Sequence, residues 1–255
     1  MYRPRVIPAL LLKNKGLVKT IRFDRKDPKY IGDPINAVRI FNDLDADELM
    51  FLDITASEQK RSVSVELVKN IGDEAYMPFA VGGGITTLDQ IREIMTNGAE
   101  KVVLNTITIS NPSLIREASE VFGNQSIIVS IDVKKDFLGR YKVAVAGGTR
   151  KTDISPVEHA WNMYKMGAGE IMITSIQQEG TMSGYDYELI RAVSEKVPIP
   201  VIACGGAGNL EHLKMAVEKG KADAVAAGSI FVFHGPRNAV LVNYPDRIAL
   251  TKLFN

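Results

Sequence analysis

The chain has 255 residues, 45% of them hydrophobic, with a formal net charge of +1 and an isoelectric point near 7.8. That balance gives no electrostatic case for a nucleic-acid partner. Cys204 is the only cysteine, so neither a disulfide nor a thiolate metal site is available, and a reducing, cytoplasmic setting is expected. No run approaches a membrane span, and the apolar stretch near the N-terminus is too short for a secretory signal.

Strand and helix patterns alternate along the chain. The first strand, Val6 to Leu12, is apolar at nearly every position, as a strand buried on both faces should be. Lys13 to Asp33, rich in Lys, Arg and Asp, reads as a long loop able to close over a ligand. A helix from Pro34 to Leu44 leads to a second strand, Glu48 to Leu52, which ends at Asp53. A helix over Val63 to Ile71 precedes the third strand, Pro78 to Val81, and Thr87-Leu88-Asp89-Gln90 opens the next helix. The fourth strand is Lys101 to Leu104, with a helix after Pro112, and the fifth, Ser126 to Val133, carries Asp132. Lys134 to Thr152 alternates and then ends in Gly-Gly-Thr, a hairpin excursion. Helices at Pro156 to Met166, Tyr187 to Lys196 and Leu210 to Lys219 alternate with strands at Glu170 to Thr174, Val201 to Ala203 and Ala224 to Ala227. No linker or low-complexity segment interrupts the series, which predicts one domain.

The series repeats itself. Pro78 to Ile107 matches Pro200 onward at an offset of 122, placing Gly83 and Gly84 on Gly205 and Gly206 and, after one inserted residue, Thr106 on Ser229. Ala46 to Asp53 overlies Ala168 to Ser175 at the same offset, and Ile7 to Lys13 overlies Ile128 to Lys134 at 121. Two duplicated halves, about 1–122 and 123–255, predict a closed (β/α)8 barrel of eight parallel strands, with a doubly wound open sheet as the rival.

In such a barrel the C-terminal ends of the strands carry the reactive groups. Gly83, Gly84, Asn105 and Thr106 form one small-residue cradle, and Gly205, Gly206, Gly228 and Ser229 form the other. Glycines can simply permit tight turns, but two clusters related by the repeat favour a ligand with two phosphates. Asp132 can act as general acid or base, or cap a turn. Its repeat partner is Leu11, which cannot move a proton. Lys19 and Asp53 are further candidates for ligand contact. Arg5, Glu48, Lys101 and Glu170 sit at the opposite ends of their strands and can meet in a ring at the barrel floor; on residues alone the plain reading is an ion-pair plug. His159, His212 and His234 have no metal-ligand spacing, and the first two read as helix-surface residues. No metal or cofactor is expected.

The stretches DELMFLDITAS, VGGGI, GAEKVVLNT, GAGEIMITS, EGTMSGYD, VIACGGAGNLEH and AAGSIF resemble the cyclase subunit of imidazole-glycerol-phosphate synthase of histidine biosynthesis, from about Arg5 to Phe233. The resemblance implies a barrel that binds a substrate phosphorylated at both ends and takes ammonia from a glutaminase subunit (HisH-like) docked on the barrel floor. It implies Asp132 as catalytic, Lys19 as a loop contact, Gly84, Asn105 and Thr106 at one phosphate, and Gly206 and Ser229 at the other. It also makes Arg5, Glu48, Lys101 and Glu170 an ammonia gate. The sequence departs from that family at Leu11, where the family has a second catalytic aspartate, and at Gln177 and Gln178. With VFHGPRNAVLVNYP in place of the usual terminal helix, these departures resemble the branch found with surface-polysaccharide genes (WbuZ-like). That branch implies a separate sugar amidotransferase as a further partner and ammonia used for acetamidino-sugar formation. The alternatives are a working cyclase, and a silent scaffold that binds a phosphorylated ligand and activates the glutaminase.

Overall fold

The computed structural model describes residues 3–255. Eight parallel strands close into a barrel: β1 (Arg5–Lys13), β2 (Leu49–Asp53), β3 (Phe79–Gly82), β4 (Lys101–Leu104), β5 (Ile127–Lys135), β6 (Glu170–Ser175), β7 (Val201–Cys204) and β8 (Ala224–Ala227). Each pairs with its sequence neighbour, and β8 pairs with β1, so no edge is left open. The helices between them are α1 (Pro34–Asp43), α2 (Val65–Glu74), α3 (Leu88–Thr96), α4 (Ser113–Phe122), α5 (Pro156–Lys165), α6 (Tyr187–Ser194) and α7 (Leu210–Glu218). Parallel pairing requires these crossovers, and the helices cover the outer face of the sheet.

Local chemistry marks most helix starts. Asp33, Ser64, Ser155, Asp186 and Asn209 each accept a hydrogen bond from a backbone N–H of the first turn, and Thr87 with Gln90 closes a capping box at α3. Each such cap is worth about 1 kcal/mol.

The strands bury both faces, against two separate cores. Ile7, Met50, Ala80, Val103, Ile128, Met172 and Ile202 fill the barrel interior. Phe41, Phe51, Phe79 and Phe231 are completely buried between sheet and helices. Truncating one of these phenylalanines to alanine would cost about 3–5 kcal/mol.

Three segments differ from the sequence reading. Lys13 to Asp33 is no open loop: Gly16–Lys19 returns antiparallel along β1, pairing Leu11 with Val18, and Lys29–Gly32 pairs with it in turn. The apolar pair Leu17 and Val18 inside the charged stretch is the signal for this, since both are buried. The stretch 232–245, read as no terminal helix, indeed folds as a two-strand hairpin at Phe233–His234 and Ala239–Val240, but a helix that the reading did not name, α8 (Arg247–Phe254), follows it. His159 is 5% exposed and lies inside the helix layer rather than on its surface, while His212 is half-buried. The hairpin expected after β5 forms, with Tyr141–Val145 pairing back along it.

Candidate functional site

A cavity of about 410 Å³ opens at the C-terminal mouth of the barrel. Asp132, near the end of β5, points into it and is 8% exposed. Its Oδ2 accepts a hydrogen bond from Asn105 Nδ2 at 2.9 Å. Burial pushes the carboxyl up to about 7; the Asn105 bond and the charge of Arg25 pull it back down, and Glu179 adds to the rise. Burial thus moves this group from the usual carboxylate range toward neutral pH.

Leu11 stands at the matching place on β1 and also lines the cavity, 8% exposed. The hydrocarbon thus faces the mouth. A second carboxyl reaches the cavity from elsewhere: Glu179, on the loop after β6, forms a buried ion pair with Lys19, Nζ to Oε1 2.9 Å. The return strand Gly16–Lys19 delivers Lys19 into the mouth, and the bare Cα of Gly228 lets it pass, since a Cβ there would lie 2.5 Å from Lys19 Nζ. Glu179 is the residue that sequence reasoning missed. Its signal was present in the EGT motif, as the one acid in the run SIQQEGT, where Gln177 and Gln178 stand beside it.

The two cradles differ. Gly83, Gly84, Asn105 and Thr106 all line the cavity. Gly84 holds φ +64°, and a Cβ there would fall 1.8 Å from Arg61 O, so the turn is packed against the loop after β2. Asn105 Nδ2 donates to Asp132 and, at the longer distance of 3.4 Å, to Ser130 Oγ, and Thr106 Oγ1 accepts from Ala146 N at 3.1 Å. On the other side, Gly228 reaches the cavity, but Gly205, Gly206 and Ser229 do not line it. The loop after β6 lies over that glycine turn, with Gly184 N donating to Gly206 O at 2.8 Å. Asp53 lines the cavity with its carboxylate already engaged: Oδ1 accepts from Thr55 and Ala56, and Oδ2 pairs with Arg61 at 2.7 Å.

At the opposite end, the four charged residues do meet. Arg5 bridges Glu48 and Glu170, and Lys101 Nζ lies 3.1 Å from Glu48 and 2.7 Å from Glu170, closing a ring of alternating charge. Burial works against the Arg5 charge, but its two carboxylate partners outweigh it and raise the guanidinium above its usual range. A second cavity adjoins Arg5 at this end, lined also by Arg3, Asp47, Tyr76 and Arg247, with Tyr76 89% exposed. Among the described residues no cluster of His, Cys, Asp or Glu is arranged to hold a metal ion.

The barrel fold agrees with the comparisons to known proteins. A family described as histidine biosynthesis protein matches residues 5–236. The chain is 48% identical over 246 residues to a Pseudomonas aeruginosa protein provisionally named imidazole glycerol phosphate synthase subunit hisF2, covering 96% of this chain and 97% of that one.

The chain belongs to the HisF family of imidazole glycerol phosphate synthase subunits.

It is also 44% identical to a Leptospira borgpetersenii protein provisionally named HisF, over the full length of both. An Alkaliphilus metalliredigens protein named imidazole glycerol phosphate synthase subunit HisF is 42% identical over 92% of each chain. Within this HisF-type barrel, the family match spans all eight strands and so includes both the mouth and the floor.

Proposed function

We propose that this barrel is the ammonia-using half of a glutamine-dependent cytoplasmic enzyme. A glutaminase subunit docks on the N-terminal face, where Tyr76 and Arg247 line a cavity beside Arg5. Ammonia passes Arg5, Glu48, Lys101 and Glu170 and reaches a phosphorylated substrate at the mouth. The reaction that fits the family is imidazole glycerol phosphate formation in histidine biosynthesis, with Asp132 moving the proton. The observation that carries this reading is a buried carboxyl, Asp132, aimed into the mouth cavity and held there by Asn105; burial pushes it up to about 7, toward the range in which a group can give and take protons. Glu179 supplies the second carboxyl that Leu11 does not. Gly83, Gly84, Asn105 and Thr106 seat one phosphate. Gly205, Gly206, Gly228 and Ser229 seat the other once the loop after β6 has moved aside, and an incoming phosphate competes with Glu179 for Lys19, with Asp53 ordering the neighbouring loop. The two halves of the barrel are copies of one ancestral unit, supported by the nearly constant offset and by the matching hairpins after β1 and β5.

The test is turnover of the ribulosyl phosphate substrate with ammonium salt at alkaline pH. Turnover that disappears in Asp132→Asn supports the reading; no turnover by the unaltered chain, alone or with its glutaminase, overturns it.

Leu11 favours a second reading. With hydrocarbon opposite Asp132, the cyclase step is weakened, and the ammonia serves a separate sugar amidotransferase in acetamidino-sugar formation for surface polysaccharide. Stimulated glutaminase with no cyclase turnover is its signature. Turnover at the rate of an ordinary cyclase would rule it out.

A further inference from the structure

The Asn105 amide that holds Asp132 is itself anchored from outside the barrel. Thr108, in the single helical turn Ile107–Ser110, donates its hydroxyl to Asn105 O at 2.6 Å, and its backbone N–H reaches the same oxygen at 3.0 Å. His159, on α5, places Nε2 2.9 Å from Thr108 Oγ1. A hydroxyl has one proton, and that of Thr108 is committed to Asn105; the proton in the His159 contact therefore sits on Nε2. Thr108 is 3% and His159 5% exposed, so water does not compete for either. Burial pushes the imidazole down to about 4, which keeps it a neutral, single-tautomer donor through the physiological range.

We infer that His159 is a positioning residue: through Thr108 it locks the turn at 105–108 so that the Asn105 amide stays aimed at the Asp132 carboxyl. The path runs from the helix layer to the mouth in three hydrogen bonds, His159 to Thr108, Thr108 to Asn105 O, and Asn105 Nδ2 to Asp132 Oδ2. A donor aimed at a carboxylate favours its ionised form, so a slackened Asn105 leaves Asp132 harder to ionise. The other groups facing Asp132 come from different elements. Arg25 on the loop after β1 favours the carboxylate, and Glu179 on the loop after β6, paired with Lys19, opposes it. Cys204 on β7 is pushed up to about 12, by burial and then by Glu179, and stays neutral. None of them hydrogen-bonds to His159 or Thr108, so changes there leave these influences in place. For its effect on turnover, but not on the ionisation of Asp132, the inference rests on the proton-moving role proposed above.

Carbon-13 NMR titration of the Asp132 carboxyl in the full chain is the measurement. His159→Phe should move its midpoint upward by roughly 0.5–1 pH unit. Thr108→Val should do the same, with nothing added in the double variant. His159→Gln, which keeps an N–H donor, should restore most of the original midpoint. Asn105→Ala should shift it further and abolish any effect of His159→Phe. An unchanged Asp132 midpoint in folded His159→Phe overturns the inference; should that variant not fold, the near-isosteric Thr108→Val decides in its place. If the midpoint moves while the pH profile of turnover does not, the positioning role stands and the assignment of Asp132 as the proton carrier falls.

Discussion

The two hairpin-bearing strands of the barrel, β1 and β5, are the same length and hold the same place, yet they put opposite chemistry at the mouth. Each has nine residues and runs on past the barrel rim into an antiparallel return strand. Leu11 pairs with Val18 and with Leu52 of β2, while Asp132 pairs with Ala144 and with Thr174 of β6. Both side chains face one cavity and are equally shielded. The difference teaches how two copies of one strand can part: β1 contributes hydrocarbon, and its return strand contributes Lys19, which pairs with Glu179 of the loop after β6.

The sharpest way to break the comparison is Asp132→Asn, which keeps the shape and the Asn105 neighbour but removes the exchangeable proton. Turnover should fall about 10²–10⁴-fold in steady-state assay. Next in size, Lys19→Met leaves Glu179 buried without its partner and should cost about 3–5 kcal/mol in urea unfolding. Lys19→Met combined with Glu179→Leu should recover most of that loss. Third, Asp132 ought to weaken the fold in a pH-dependent way. Its folded pKa is raised to about 7, so between the unfolded carboxylate range and pH 7 the native state holds a proton that the unfolded chain has released. Stability from this group is complete at low pH and is lost as pH rises through 7. Asp132→Asn should therefore gain stability over the unaltered chain on going from pH 4 to pH 8, by up to about 4 kcal/mol, measured by denaturant unfolding at each pH. The smallest effect sharpens the comparison from the β1 side: Leu11→Asp should cost about 1–3 kcal/mol at neutral pH by burying a second charge. If a missing acid limits cyclisation, it should also raise turnover several-fold, and unchanged turnover would show that Glu179 already fills that place.

The two glycine turns carry the same contrast. At φ +64° in Gly84 and +118° in Gly206 the backbone adopts geometry that favours glycine in both halves. Only the first turn is open to the cavity, because the loop after β6 folds over the second. The repeat in sequence made both turns visible, but the depth of cover over each depends on a loop whose resting place is set by contacts with the loop after β1. Arg22 N donates to Glu179 O at 2.8 Å, and Gly180 packs against Thr20 and Ile21.

By itself the sequence determined the eight strands and their order, the closed parallel barrel, the charged ring and the twin glycine turns. These follow from apolar runs, caps and small residues whose meaning is local, or from an offset that can be counted. Arg5, Glu48, Lys101 and Glu170 each begin or precede a strand, and parallel strands in a closed barrel must bring their starting ends together. Tertiary structure alone decided that Glu179 meets Lys19 across 160 positions, that Asn105 turns to Asp132 instead of leaving its amide free, and that His159 is buried against Thr108. Which polar group finds which partner in a dry interior is settled by the positions of all the loops and helices at once, and no periodicity along a chain encodes that.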